Sequence, residues 1–237
     1  MSSINDLKKK LKEAVIICEM EGLCEAMGHI SVRVPGSDTI LMTPQGPPGA
    51  TKLSDIVTLN LKGEQIRGGG KPNSEFPIHT SIYRVRDDVQ SVVHVHPPKV
   101  IAFSIAGQEI VPMRYGDGKF LPSVPIFGEP GAEVYIISDE LGNKMAEVLG
   151  KGTAVIIRGH GAVTVGSSIE AACLNAVALE KTAEIQFMAS MLLLSKTVQK
   201  DFQVPRIRPG EISSTTTRIQ QRHWDFYLGK LKQYVKK

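Results

Sequence analysis

The sequence contains few aromatic residues and only a small excess of positive charge. Phe, Trp and Tyr make up 5% of the chain, and 28 Lys and Arg residues are balanced by 24 Asp and Glu residues. A surface that binds nucleic acid usually combines a strong basic stripe with interleaved aromatic side chains. Nucleic-acid binding is therefore not expected.

Cysteines and long apolar runs are also scarce. Cys18, Cys24 and Cys173 are an odd number without a Cys-x-x-Cys spacing, which argues against a disulfide framework and for reduced thiols in the cytoplasm. The N-terminal segment lacks the apolar run of a signal peptide. The most apolar stretch, residues 185–194, is interrupted by Gln186 and is too short to span a bilayer. We therefore expect a cytoplasmic protein that makes no membrane contact.

The remaining composition is that of an ordinary globular protein, with 42% hydrophobic and 22% charged residues in 237 positions. Hydrophobic periodicity predicts both helices and strands, and therefore an α/β or α+β domain over residues 1–200. The predicted helices are 4–18, one that starts at 73–77, 97–106, 138–149 and 167 to about 194. The predicted strands are 29–34, 39–43, 55–61, 91–96, 134–137, 154–157 and 162–165.

Residues 201–237 are predicted to form a C-terminal extension of this domain. Residues 204–214 contain two prolines and a glycine, which is typical of a linker. An amphipathic helix is predicted after the linker, and its apolar stripe consists of Trp224, Tyr227, Leu228, Leu231 and Val235. Such a helix could dock on a membrane, but packing on its own subunit or on a neighbour is the preferred prediction.

Two histidines share one face of a predicted strand. His94 and His96 are two residues apart, whereas Val93 and Val95 face the opposite layer. A third, His160, lies between two glycines at the end of the buried strand 154–157. Three neutral imidazoles could bind a divalent cation and leave one coordination position open, as catalytic metal sites do. Each histidine could instead be satisfied by the backbone in the core, or be exposed without a role.

A carboxylate and a fourth histidine lie at the start of a predicted helix. The run Asn73-Ser74-Glu75-Phe76-Pro77 has a polar residue for the cap and a proline in the first turn. Glu75 and His79 are one helical turn apart and therefore share a face. His79 is predicted to contact and orient the residues that bind the metal or substrate, and core packing is its alternative role.

Three separated motifs together resemble the class II aldolase/adducin family. They are Pro72-Asn73-Ser74-Glu75 with His79, Val92-Val93-His94-Val95-His96, and Gly159-His160-Gly161-Ala162-Val163. Their order and spacing fit the family, and the resemblance extends from the first helix to about Leu194. It implies a three-layer α/β/α fold with a central, mainly antiparallel sheet. It also implies a homotetramer with sites between subunits.

The resemblance further implies the chemistry of a carbon–carbon lyase. His94, His96 and His160 would be the metal ligands, and Glu75 the catalytic acid or base. A Lewis-acid cation that binds a hydroxyl and an adjacent carbonyl stabilises the enolate or enediolate formed when a carbon–carbon bond breaks. A nearby carboxylate can take or return the proton. Three imidazoles favour Zn2+, with Mn2+ and Fe2+ as alternatives.

The family has several activities, which the sequence separates only in part. Epimerases resemble this pattern but carry Asp where Glu75 stands, and the intact histidine triad disfavours a non-catalytic, adducin-like protein. We predict decarboxylation or retro-aldol cleavage of a small hydroxylated acid or sugar-like substrate. The alternatives are a sugar-phosphate aldolase of the fuculose-phosphate type, then an epimerase or dehydratase, then an adducin-like interaction protein.

The identity of the substrate depends on the predicted substrate-binding residues, whose pattern differs from that of the phosphate-using aldolases. Phosphate-using aldolases resemble Gly-Asn-x-Ser where this chain has Gly28-His29-Ile30-Ser31, and His29 resembles the variant of members that decarboxylate hydroxylated or aromatic acids. A neighbouring subunit's site could be completed by Arg114, Tyr115, Lys119 or the 224–227 segment, and no motif indicates which of them contributes. The full predicted substrate-binding set is His29, Ser31, Thr43, Gln45, Gly46, Asn73 and Ser74.

Overall fold

The computed structural model describes residues 3–112, 118–120, 122–194 and 216–236. The predicted linker at 204–214, Arg114 and Tyr115 lie outside these residues. The helices are α1 (Ile4–Met20), α2 (Phe76–Val85), α3 (Pro98–Ile105), α4 (Asp139–Leu149), α5 (Ile169–Leu194) and α6 (Thr216–Tyr234). The strands are β1 (His29–Arg33), β2 (Thr39–Met42), β3 (Val57–Asn60), β4 (Gln65–Arg67), β5 (Ser91–Val95), β6 (Ile126–Phe127), β7 (Ala154–Ile157) and β8 (Gly161–Gly166).

All of these strands join one sheet, in the order β4-β3-β2-β1-β5-β8-β7-β6. Every neighbouring pair is antiparallel except β6 and β7, which run parallel. Antiparallel neighbours can be joined by short turns, as in the β1–β2 and β7–β8 hairpins. The prediction of a central, mainly antiparallel sheet is confirmed.

Side-chain alternation in the strands divides the core between the two faces of the sheet. On β5, Val93 and Val95 pack in a cluster with residues of α1 and α5. Val92, between Ser91 and Val93, packs in the opposite cluster with residues of α2 and α4. Helices therefore cover both faces, and the predicted three-layer α/β/α arrangement is confirmed.

The C-terminal helix α6 packs on its own chain. Trp224, Tyr227 and Leu231 are buried in the same cluster as Leu11 of α1. The Tyr227 hydroxyl also accepts a 2.7 Å hydrogen bond from Lys181 on α5. The predicted apolar stripe thus joins α6 to α1 and α5, except for Val235, which is exposed. Among the described helices, none is long and apolar enough to cross a membrane.

The prediction of a strand at residues 134–137 is wrong, because this segment has no regular secondary structure. Its backbone groups bind side chains instead: the Val134 carbonyl oxygen lies 2.8 Å from His160 Nδ1, and Ile136 N–H donates to Glu75 Oε1 at 3.3 Å. Groups used in this way are not available to a strand ladder. Strand β4 was not predicted, since all three of its residues are exposed and show no apolar alternation.

Candidate active site

Two neighbouring strands place the first pair of histidines side by side. His29 at the start of β1 pairs with His94 of β5 across the antiparallel ladder, and their ring centroids are 4.9 Å apart. The next pair along the ladder, Ile30 and Val93, packs against α1 and α5. His29 and His94 therefore face α2, and both rings are buried.

His96 and His160 approach His94 from two chain segments. His96 directly follows β5, and His160 lies in the turn between β7 and β8. The ring centroids of the three histidines are 4.8–5.1 Å apart. Gly161 permits this approach, because a Cβ there would lie 2.5 Å from the Val95 carbonyl oxygen and 2.9 Å from His96 Cδ2. The structure thus brings together the three histidines that were predicted as metal ligands.

Backbone carbonyls fix the orientation of these three rings. The Nδ1–carbonyl distances are 3.2 Å from His94 to Ala162, 3.2 Å from His96 to Met27 and 2.8 Å from His160 to Val134. A carbonyl only accepts, so Nδ1 carries the proton and Nε2 keeps its lone pair in the neutral ring. Metal-binding histidines use the same arrangement. Within the described residues Nε2 of His94 is buried without a hydrogen-bond partner, so a divalent cation fits these residues.

Burial favours the neutral form of the His29, His94 and His96 imidazoles. Desolvation is the largest cause that holds the pKa of His94 well below its usual value, and the neighbouring histidines add to it. The pKa of His96 is lowered for the same two reasons. For His29, burial lowers the pKa to about 3. Neutral rings have lone pairs for a cation near neutral pH.

Glu75 lies beside these histidines at the N-terminal end of α2. Its Oε2 atom is 3.6 Å from Nε2 of His94, 3.7 Å from Nε2 of His160 and 3.8 Å from Nε2 of His29. Its Oε1 atom accepts the Ile136 hydrogen bond. Burial raises the pKa of Glu75, while His160 and the Ile136 N–H oppose the rise. A carboxyl group with a raised pKa is suited to proton transfer nearer neutral pH.

A buried hydrogen-bonded chain, here called the relay, extends from His29 into the core and consists of His29, His79, Ser31 and Tyr83. His29 Nδ1 is 2.7 Å from His79 Nε2, and His79 Nδ1 is 2.7 Å from Ser31 Oγ. Ser31 Oγ is also 2.8 Å from the Tyr83 hydroxyl. His79 therefore contacts the site through His29. Ser31, predicted to bind substrate, has its hydroxyl engaged inside the relay.

Two other predicted substrate-binding residues support neighbouring backbone. Thr43 is buried, and its Oγ1 accepts a 3.0 Å hydrogen bond from the Ile30 N–H. Asn73 Oδ1 accepts a 2.9 Å hydrogen bond from the Glu75 N–H. Asn73 thus fixes the start of α2, where Glu75 stands.

The remaining predicted substrate-binding residues, Gln45, Gly46 and Ser74, are exposed. Ser74 Oγ is 2.9 Å from the hydroxyl of Tyr135, whose ring centroid is 6.2 Å from that of His160. Tyr135 was missed from the sequence, and no motif marks it. Tyr83 was missed as well, although it follows His79 by four residues on α2 and helical spacing could have located it.

The comparison with known families fits this geometry, since residues 9–187 match the family described as Class II Aldolase and Adducin N-terminal domain. The chain belongs to the class II aldolase/adducin family. This family member is 31% identical over 179 residues to a 3,4-dihydroxyphthalate decarboxylase of Arthrobacter keyseri, with 69% of this chain and 70% of the relative covered. It is 28% identical to a 5-deoxy-D-ribulose 1-phosphate aldolase of Bacillus thuringiensis serovar kurstaki, with 73% and 80% covered.

A solved structure shares the fold of this class II aldolase/adducin family member. The L-fuculose 1-phosphate aldolase of Glaciozyma antarctica superposes with a TM-score of 0.71 at 26% identity, over 86% of this chain and 77% of that chain. The predicted family is therefore confirmed. The relatives are decarboxylases and aldolases, which are lyases, and this chain is a lyase too.

Proposed function

We propose that the chain is a divalent-metal-dependent carbon–carbon lyase that acts on a small hydroxylated acid. The observation that carries the proposal is the set of lone-pair Nε2 atoms grouped beside Glu75 Oε2. His94, His96 and His160 would hold the cation. Zn2+ is our first choice for three imidazoles, with Mn2+ and Fe2+ as alternatives. When bound, the cation supplies Lewis acidity that stabilises negative charge on the substrate as the bond breaks.

Glu75 is the acid and base in this proposal. The Ile136 N–H holds Oε1, so Oε2 is the oxygen that faces the substrate. Because burial raises the pKa of Glu75, its carboxyl group can carry a proton closer to neutral pH than a solvated carboxyl group does. In decarboxylation, Glu75 would give this proton to the carbon from which carbon dioxide has left.

Decarboxylation is the reaction that we favour. Its support is the 31% identity to a decarboxylase and the buried imidazole of His29 next to Glu75. Retro-aldol cleavage of a sugar phosphate is the second candidate, supported by the 28% identity to a phosphate-using aldolase. The exposed polar residues Gln45 and Ser74 are groups to which a phosphate could bind.

The products of the reaction separate the two candidates. We expect the metal-loaded protein to release carbon dioxide, without aldehyde, from at least one member of a panel of aliphatic and aromatic hydroxy acids and ketose phosphates. Carbon dioxide and aldehyde are measured separately in each reaction. Aldehyde from a ketose phosphate would select the aldolase, and neither product from any compound would contradict a lyase acting on these substrate classes.

We further propose a homotetramer. Support comes from the C-terminal end of α5, where six consecutive or nearly consecutive apolar side chains are exposed on the chain: Phe187, Met188, Met191, Leu192, Leu193 and Leu194. Apolar patches of this kind mark protein contacts when they are contiguous. The three cysteines are free and buried, which supports a cytoplasmic location where thiols remain reduced.

Changing this patch is expected to reduce the assembly. Met191→Ser combined with Leu192→Ser should shift the mass measured by light scattering from that of four chains to that of fewer chains, because apolar contact area is lost. Val85→Ser is the matched control, since Val85 is an exposed valine at the end of α2. A doubly substituted protein with the mass of the unchanged protein would show that the patch is not the interface.

A further inference from the structure

The relay determines which nitrogen of His29 carries the proton. A neutral imidazole has one N–H and a hydroxyl has one proton, so donation can run along all three contacts of the relay in only two directions. A third arrangement, in which Ser31 accepts from both His79 and Tyr83, would leave the Ser31 proton without an acceptor in the relay. In the direction called inward, donation runs from the core to the site: Tyr83 donates to Ser31, Ser31 donates to His79 Nδ1, and His79 Nε2–H donates to His29 Nδ1. In the outward direction, each donation is reversed.

The hydroxyl of Tyr83 distinguishes the two directions at the core end of the relay. In the outward direction it accepts from Ser31, and its own proton then has no acceptor among the described residues, although Tyr83 is only 1% exposed. A buried donor without an acceptor carries its full desolvation penalty.

The site end of the relay selects the same direction. His29 Nε2 is buried, lacks a hydrogen-bond partner in the described part of the chain and lies 3.8 Å from Glu75 Oε2. The inward direction leaves an N–H facing this carboxylate oxygen, which is attractive. The outward direction would leave a lone pair facing it, which is repulsive whenever Glu75 is ionised.

We propose that His29 is a hydrogen-bond donor to an anionic oxygen of the substrate, and that His79, Ser31 and Tyr83 are positioning residues that fix this donor polarity. His29 is thereby the opposite of His94, His96 and His160, whose Nδ1 atoms donate to carbonyls. Although His29, Glu75 and His94 form a group that could hold a cation, the Nε2 lone pair that a cation needs is absent from His29.

The donor polarity narrows the substrate class, and this step rests on the proposed function. The substrate must carry an acceptor oxygen, such as a carboxylate or an oxyanion, that can come closer to His29 Nε2 than the 3.8 Å at which Glu75 Oε2 lies. A normal hydrogen bond is about 2.9 Å. A substrate with an ammonium group at this position would be rejected.

The proton position can be measured without turnover or metal. The metal-free, full-length chain is labelled with nitrogen-15 histidine, and the ring-nitrogen shifts are recorded by NMR above pH 7. We expect a protonated Nε2 and an unprotonated Nδ1 at His29, and the reverse at His94, His96 and His160. An unprotonated Nε2 at His29 would overturn the proposal and leave the lyase function standing, whereas a lack of lyase activity would leave the proton position unaffected.

Two substitutions of His79 test the relay itself. Gln can accept from Ser31 through its amide oxygen and donate to His29 through its NH2 group, whereas Leu can do neither. We expect His79→Gln to keep the His29 shifts and a KM within about threefold of the unchanged protein. His79→Leu should give a mixture of the two His29 tautomers and raise KM roughly tenfold more than it lowers kcat. Unchanged His29 shifts in a folded His79→Leu protein would overturn the positioning role.

Discussion

Replacing Glu75 by Gln is expected to lower kcat about 10³-fold, because a positioned general acid or base contributes roughly 10²- to 10⁴-fold to a reaction rate. Gln has nearly the same size, and its amide oxygen can still accept the hydrogen bond from Ile136 N–H. An amide does not exchange a proton in the relevant pH range, so the acid and base function alone is removed. The rate of carbon dioxide release under saturating substrate measures the loss.

The metal content and the fold decide how this loss is interpreted. Glu75→Gln should bind as much cation as the unchanged protein, because the three histidines remain, and its circular dichroism spectrum should be unchanged. Glu147→Gln on α4 is the matched control, since Glu147 is an exposed glutamate that belongs to none of the site contacts described above. Turnover within a few-fold of the unchanged protein in Glu75→Gln would show that Glu75 is not the catalytic acid or base.

Regular periodicity was the part of this site that could be predicted. His94 and His96 are two residues apart, so strand alternation predicts that their side chains point to the same side. The apolar run that forms β7 predicted the position of His160 just after that strand. Helical spacing placed His79 on the face of Glu75. These relations depend only on the local geometry of a strand or a helix, so tertiary contacts elsewhere in the chain do not change them.

Backbone partners were the part that could not be predicted. The carbonyls that orient the three rings belong to Met27, Val134 and Ala162, and no side chain marks a carbonyl in a sequence. Residues 134–137 show the same limit: their apolar pattern fits a strand, yet two of their backbone groups bind His160 and Glu75. Tertiary contacts overrode local propensity there.

The direction of a hydrogen bond is a further property that spacing does not contain. His29 and His94 are direct neighbours on the sheet and share the same residue type and burial. Their Nδ1 atoms nevertheless meet different partners, an imidazole in one case and a carbonyl in the other. Under the two proposals above, these two identical side chains have opposite roles, and their different Nδ1 partners are what would make one a donor and the other a ligand.

Removal of one histidine ligand is expected to abolish metal binding at micromolar concentrations. The loaded protein should contain about one divalent ion per chain, and His94→Ala or His160→Ala should contain almost none. The loss of affinity should exceed the roughly 10- to 100-fold that follows from removing an outer partner of a ligand. Elemental analysis after dialysis measures the content, and His223→Ala is the matched control, because His223 is an exposed histidine on α6.

Thermal stability provides a second measurement that does not depend on activity. A cation that binds only the folded state at 100 times its Kd adds about 2.7 kcal/mol of stability, so Tm should rise when Zn2+ is added to the metal-free protein. The rise should disappear in both alanine variants and persist in His223→Ala. His94 is fully buried and its removal could itself lower Tm, whereas His160 is only partly buried. The decisive quantity is therefore the change in Tm on metal addition, and a rise retained in both variants would contradict the histidine site.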